Sequence, residues 1–342
     1  MLAALACFKK LYGDGPTFLS FDKTMNIVGI NPPNYVSIEA PADVTGKGCV
    51  EVSVKEFTSI CSKDLTCCIT EKGLSFSNKT FKGTLATKEV DVNMFEVAKN
   101  LLDNAGGTPV TAQCFNVIKT CVEKTKIKDP FHDTSVTVYI NVGDKTVSAS
   151  TGDNYHIAHI VYKSSGNKRT KLALDTKYFD LIKSFSSPSI DLEQKFSVYD
   201  EKGGRIVAPL PQYDMSELGK ASSFLKSLDT DHPVASCVID SDVFKQELKT
   251  LISFGNQIEI TVGKSFTIST STDSNSIATK IDAEDIKGTA CFKLNCLVIG
   301  DILSIASGKF LVQVVLHDEN HIFVMQQITS DYKLTFVAST VP

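Results

Sequence analysis

Arginine is almost missing from this 342-residue chain: of 35 basic residues only Arg169 and Arg205 are arginines, and the rest are lysines. Lysine meets phosphate as a diffuse point charge, whereas guanine in the major groove is read by bidentate arginine, so any nucleic-acid contact is expected to be blind to base sequence. Also missing is any apolar run near the ~18 residues of a membrane-spanning helix. With 42% hydrophobic and 22% charged residues and a mean hydropathy of +0.02, the chain has the composition of a soluble globular protein, and no membrane is expected as a partner. The apolar opening Leu2-Ala-Ala-Leu-Ala-Cys-Phe8 has no basic stretch ahead of it and is followed by Lys9-Lys10. It reads as a short amphipathic helix, not a signal peptide.

The signatures of several chemistries are absent as well. None of the ten cysteines forms a Cys-x-x-Cys pair, and Cys67-Cys68 sits in a strand pattern whose successive side chains point to opposite faces. Reduced thiols in a cytosolic compartment are expected. Gly46-Lys47, Gly263-Lys264 and Gly308-Lys309 lack the glycine five residues earlier that a phosphate-cradling loop requires, and there is no Gly-x-Ser-x-Gly elbow. His317-Asp-Glu-Asn-His321 has the i, i+4 spacing of a helical zinc pair, yet it brackets a polar turn between two strand patterns. His156 and His159 lie in an alternating strand and point apart. No catalytic residue, metal or cofactor is expected, and a hydrolase or metalloenzyme is the weaker reading.

What is present is a recurring unit: a short strand, an amphipathic helix of about three turns, then two or three alternating strands. One copy runs from Cys49 through a helix carrying Val54, Phe57, Ile60 and Cys61 to Leu74-Ser-Phe-Ser77 and Phe81–Thr87. A second runs from Lys171 through Phe179, Ile182 and Phe185 to Gly204–Ala208, and a third from Ala290 through Leu294–Ala306 to His321–Met325. Helix starts at Val54, Thr176 and Leu294 are spaced evenly at about 120 residues, which suggests three domains of one kind. Further helices are expected at Leu2–Tyr12, Thr111–Lys124 and Ser241–Phe254, so each domain contains the unit twice. In the last helix Ser241 is placed to cap, Val243, Phe244, Leu248, Leu251 and Ile252 form the apolar stripe, and Gly255 is placed to end it. Boundaries are expected near Val90–Met94 and Tyr213–Leu228, where the pattern weakens and small polar residues gather.

This arrangement resembles the β subunit of bacterial DNA polymerase III and its phage relatives, the sliding clamps. The resemblance covers nearly the whole chain and is most specific at Val50-Glu-Val-Ser-Val-Lys-Glu-Phe-Thr-Ser-Ile60, Thr151-Gly-Asp-Asn-Tyr-His-Ile-Ala158, Leu210-Pro-Gln-Tyr213 and Cys291–Met325. It implies an α+β fold of three tandem clamp domains, at 1–92, 93–215 and 216–342, each a doubled β-α-β-β-β unit. Two protomers would close head to tail into a ring with helices lining the hole and sheets outside. The chain departs from the bacterial pattern at both ends: it opens on a helix, and the Met- and Arg-containing C-terminal signature is replaced by Phe336-Val-Ala-Ser-Thr-Val-Pro342. Both departures fit a divergent phage or viral member, working in the host cytoplasm.

The resemblance implies a processivity factor that encircles duplex DNA and binds a polymerase and a clamp loader, with a monomeric clamp-fold factor lying on DNA as the alternative. Lys9, Lys10, Lys55, Lys63, Lys119, Lys124, Lys126, Lys177, Lys183, Lys245 and Lys249 lie on or just beyond expected helices and become DNA-facing if the ring forms. Without the ring they are ordinary solvated faces. The net charge of −4 argues against a protein that coats nucleic acid, but a ring held by topology needs only mild attraction. A partner-peptide pocket between domains 2 and 3 is implied at Tyr155, Ile157, Pro211, Met215, Phe336, Val337 and Ala338, for which Ile157 and Phe336 have the alternative of domain core. The subunit interface is implied between Phe81 and the helix end carrying Leu251 and Ile252.

Overall fold

Strands far apart in sequence share sheets, and this decides how the chain is organised. The computed structural model describes residues 12, 17–21, 24–31, 34–40, 45–46, 48–60, 66–88, 90, 93, 95–96, 100, 112–125, 137–152, 156–165, 169–175, 189–191, 195–199, 205–209, 216–272 and 275–340. The chain divides into two compact units, Met1–Phe115 with Lys177–Gln212, and Asn116–Thr176 with Tyr213–Pro342. The expected middle domain, 93–215, is therefore shared between the two units. Residues 189–209 pair into the first unit and residues 137–175 into the second, so compactness follows sheet continuity and cuts across the repeat.

In the first unit, β1 (Thr17–Phe21), β2 (Met25–Asn31), β3 (Asn34–Ala40) and β4 (Gly48–Val52) are extended by β12 (Ser189–Asp191), β13 (Lys195–Tyr199) and β14 (Arg205–Pro209). The sheet order is β12-β13-β14-β3-β2-β1-β4, with Ile206 of β14 opposite Ile38 of β3. Helix α1 (Val54–Ile60) buries Phe57 and Ile60, as its periodicity predicts. The hairpins β5 (Thr66–Thr70), β6 (Gly73–Ser77) and β7 (Lys82–Leu85) form a three-stranded sheet. Gly29 lets the Tyr12 ring lie on the sheet, since a Cβ there would be 2.7 Å from the ring.

The second unit contains a nine-stranded antiparallel sheet of order β11-β8-β9-β10-β23-β22-β21-β15-β19. Its members are β8 (Thr137–Val142), β9 (Thr146–Gly152), β10 (His156–Lys163), β11 (Thr170–Asp175), β15 (Ala235–Asp240), β19 (Ala283–Gly288), β21 (Lys309–His317), β22 (Asn320–Ile328) and β23 (Tyr332–Ser339). A four-stranded sheet has the order β18-β17-β16-β20, with β16 (Gln257–Val262), β17 (Phe266–Ser271), β18 (Ser276–Ile281) and β20 (Ala290–Asn295). Its helices are α2 (Ala112–Thr125), which belongs to this unit from Asn116 onward, α3 (Ser216–Ser227), α4 (Ser241–Ile252) and α5 (Cys296–Ile305). The doubled unit is complete here: β15-α4-β16-β17-β18 is followed by β20-α5-β21-β22-β23. This is a mixed α+β fold dominated by sheet, as expected.

The core of this unit lies between the helices and the sheets. Phe244 of α4 meets Phe266 edge to face at 5.7 Å, and Phe310 lies 6.1 Å from Phe336. Burying one such side chain contributes about 1.5–3 kcal/mol. Strand β23 is buried over five consecutive residues, Leu334 to Ala338, because both of its faces are covered.

Several local expectations are corrected. Asp240, not Ser241, caps α4: its carboxylate accepts from the Asp242 and Val243 amides, while Ser241 is fully buried with no hydrogen-bond partner for its hydroxyl. The helix ends on Ser253 in right-handed geometry, so Gly255 does not close it. Val243 and Ile252 are exposed at the edge of the stripe. Helix α5 starts at Cys296, and Leu294 belongs to β20. The segment 213–228, read as a pattern-poor boundary, contains α3. The helices expected at Leu2–Tyr12 and from Thr176 lie almost wholly outside the described residues.

Candidate functional site

Helix α2 turns Cys114, Ile118, Cys121 and Val122 inward and leaves Lys119 and Lys124 half-buried beside them. Lys124 is not free to face a ligand, because its ammonium sits 4.8 Å over the Tyr332 ring. On α4, Lys249 is exposed, but Lys245 bends away from it. Its Nζ lies 3.4 Å from Asp242 and 3.3 Å from the carbonyl of Ala306, just past the end of α5. Lys245, expected among the DNA-facing lysines, is therefore reassigned, since its cation is drawn to a helix C-terminus. Lys55 is exposed on α1. Lys9, Lys10, Lys63, Lys126, Lys177 and Lys183 lie outside the described residues.

Arg169, one of the two arginines, is committed to the protein itself through a two-pronged bond to Asp144 at 2.8 and 2.5 Å. That pairing holds the Asp144 carboxyl below its ordinary value and raises the guanidinium further.

The expected pocket residues are divided by strand parity. Pairing places Ile157 of β10 opposite Val337 of β23, and Val337 opposite Val324 of β22, giving an apolar row across three strands. Phe336 and Ala338 alternate with Val337, are fully buried, and face the core instead, so their assignment to a partner pocket is corrected. Val337 is buried too, but in a cluster with Leu228, Val315, Ile322 and Val324, against which Ile157, Phe224 and Leu225 pack. Tyr155, Pro211 and Met215 lie outside the described residues.

Phe224 and Leu225 belong to α3, the helix that the sequence reading missed. It lies on the sheet face opposite the core and forms one wall of a cleft of about 210 Å³. The other wall is the next two rows of the same grid: His159, Thr335 and Gln326, then Val161 and Lys333. Burial, and then the charge of Lys333, push the His159 imidazole down to about 4, so it is neutral at pH 7. Its Nδ1 lies 2.6 Å from the Ser150 hydroxyl.

The other histidines are dispersed. His317 meets Phe224 edge on at 5.4 Å and His321 lies 6.5 Å from Phe292. Between them, Asp318 and Glu319 take positive φ values of 46° and 66° in the two-residue turn joining β21 to β22. Among the described residues no three His, Cys, Asp or Glu side chains gather as a metal site. Burial raises the Cys237 thiol to about 12 and Cys296 to about 11; burial and Glu96 raise Cys49 to about 11. These are thiols and not thiolates at neutral pH. Phe81 is partly exposed beside the edge strand β7 and stacks on Phe76 at 5.6 Å, and Ile252 is partly exposed on α4. Leu251 is only 1% exposed and is core, which corrects its place in the expected interface.

Doubled strand-helix units, with strands shared between neighbours, define the fold of the DNA polymerase sliding clamps. The chain is similar over its full length to the DNA polymerase III β chain of Streptococcus pneumoniae TIGR4, with a TM-score of 0.79 and 11% identity over 97% of that chain. It is likewise similar to the β subunit from Thermotoga maritima (TM-score 0.77, 10% identity, 100% of this chain and 96% of that one). The β clamp of H. pylori, solved in complex with 5-chloroisatin, matches with a TM-score of 0.73 and 13% identity over 100% of this chain and 97% of that one. No protein-family model matches the sequence, and no curated protein matches it either.

Proposed function

We propose that this chain is a DNA sliding clamp, a non-enzymatic processivity factor that closes around duplex DNA and tethers a polymerase. The observation that carries the reading is the likeness of the whole chain, 99–100% of it, to solved polymerase III β clamps. The scarcity of arginine supports a contact with DNA that is blind to sequence, and the net charge of −4 suits a ring retained by topology. The ring would be a head-to-tail homodimer of three-domain protomers (1–92, 93–215 and 216–342) that meets a clamp loader and a polymerase in the cytoplasm. Exposed Phe81 and Ile252 would be its interface anchors and Lys55, Lys119 and Lys249 would face DNA. Partner peptides would dock beside the buried cluster of Val337 and Val324, in the cleft between α3 and the outer face of β10, β22 and β23.

Topology can be tested without a loader. Rings thread onto linear duplex from its ends, so blocking both ends with streptavidin after incubation should retain the protein in high salt, and cutting the DNA should release it. Equal loss from blocked and open DNA would overturn the reading.

A further inference from the structure

In the unit β4-α1-β5-β6-β7, strand β5 takes the place that β21 takes in β20-α5-β21-β22-β23. Strand β21 has β22 on one side and β15 on the other, and β8 and β16, which also follow helices, are flanked on both sides as well. Among the described residues β5 pairs with β6 alone, and all five of its residues, Thr66-Cys-Cys-Ile-Thr70, are exposed. Which of them offer free backbone groups follows from the far side of β6. The Asn78 amide donates to the Phe81 carbonyl at 2.8 Å across the β6–β7 turn, so Asn78, Phe76 and Leu74 bond toward β7, and Ser77, Ser75 and Gly73 toward β5. Thr66, Cys68 and Thr70 therefore bond inward, and the amides and carbonyls of Cys67 and Ile69 point off the sheet. The Cys68 thiol lies 3.6 Å from the Ile69 carbonyl, on that open side.

Exposed edges are usually blunted by a charged side chain, a proline or a bulge, and β5 has none of the three. Its sequence is also nearly symmetric about Cys68, with threonine at both ends and an apolar residue on each side of the centre. Laid antiparallel on a second copy of itself, β5 sets Thr66 against Thr70, Cys67 against Ile69, and Cys68 against Cys68 of the second copy. That register joins the outward-bonding residues, Cys67 and Ile69, as hydrogen-bonded pairs and puts the two Cys68 residues in a non-hydrogen-bonded pair, with Cα atoms about 4.5 Å apart. Sliding the second copy by one residue opposes outward-bonding to inward-bonding residues, and sliding it by two shortens the overlap. The charges that flank the strand in sequence, Asp64 and Lys72, are opposite in sign and meet in the same register. We propose that β5 is a self-recognition edge, through which two copies of the chain join antiparallel with Cys68 facing Cys68. The contact is separate from the proposed ring, whose anchor Phe81 stands beside β7 at the other edge of the same sheet, and it would tie one ring to the next. Five residues a side make it a weak, transient contact.

Diamide traps such a contact, taking up the two thiol hydrogens as the disulfide forms. The full chain with Cys67→Ser, treated at micromolar concentration, should give a covalent dimer in which the tryptic peptide 64–72 is linked to itself through Cys68. On that background, Thr66→Lys/Thr70→Lys sets like charges opposite each other and should lower the yield about tenfold, whereas Thr66→Lys/Thr70→Glu sets opposite charges there and should restore it. Both variants lose the bond from the Thr70 hydroxyl to the Gly73 carbonyl, so they differ only in the charge at residue 70. Both threonines are exposed, so the variants should fold, and thermal melts check this. Failure to form the Cys68 link, a link through exposed Cys291 in its place, or equal yields from the two charge variants would overturn the proposal. Phe81→Ala/Ile252→Ala should open the proposed ring and leave the Cys68 link intact, and loss of the link in that variant would make it a by-product of the ring. Retention on end-blocked DNA, measured on the same preparations, separates the two readings: the clamp can stand while the β5 contact fails, and the reverse.

Discussion

Lys245 and Ala306 are joined across two helices, with the lysine ammonium 3.3 Å from a carbonyl that follows the last turn of α5. The bond ties α4 to α5 and stands in for a helix cap. Lys249, one turn further along α4, has its charge in solvent. Lys245→Met should therefore lower the stability of the second unit by about 1 kcal/mol and leave the salt dependence of association with open linear DNA unchanged. Lys249→Ala should do the reverse, reducing the slope of log affinity against log salt by roughly 1. Thermal melts and salt titrations of the two variants check the assignment, and an exchange of their effects would refute it.

Helix α3 contains Gly219, Ser222 and Ser223, and at Gly219 an added Cβ meets nothing within 4 Å. Gly219→Ala should stabilise the helix by about 0.5–1 kcal/mol, seen as roughly two- to fivefold slower amide exchange in α3. Phe224→Ala should accelerate the same amides, because the helix is held by its seat on the sheet. Unchanged exchange in both variants would mean that α3 is held by something else.

His159 gives the second unit an acid sensitivity. Its folded value of about 4 is below the ordinary 6.5, so the unfolded chain takes up a proton before the folded one does. Stability from this residue is complete above about pH 6.5 and is lost as pH falls toward 4, by roughly 3 kcal/mol over the full window. Between pH 7 and pH 5 the wild type should lose more melting temperature than His159→Gln does. Identical losses would show that the imidazole is not held neutral.

Phe81 and Ile252 are partly exposed while Leu251 is not, which separates association from folding. Phe81→Ala with Ile252→Ala should weaken the proposed dimer, by about 2 kcal/mol or more if either is an interface anchor, with little change in melting temperature. Leu251→Ala should instead cost about 2–5 kcal/mol of fold stability. Analytical ultracentrifugation across a concentration series distinguishes the two. A wild type that stays monomeric at micromolar concentration would remove the ring.

Much of this was legible in the residues. The period of 3.6 in Val54–Ile60, Ala112–Thr125 and Ser241–Ile252, and the alternation in Thr137–Val142, mark elements whose one buried face is written in the sequence. The even spacing of the units and the near absence of arginine likewise need no coordinates. Parity along β23 was also readable, because three successive strand residues cannot share a pocket; Phe336 and Ala338 had to part from Val337.

What the tertiary structure alone decided has one physical source, contact between segments distant in the chain. Helix α3 is weak by propensity and exists because Phe224 and Leu225 find Ile157 and Val337, which arrive from two other segments. The direction of Lys245 depends on a carbonyl 61 residues away, and the placement of Lys333 beside His159 depends on the register of β10 against β23. Periodicity tells which face of an element is apolar, but it does not name the partner that covers it. The cleft therefore appears only once the sheet is assembled and α3 is laid on it.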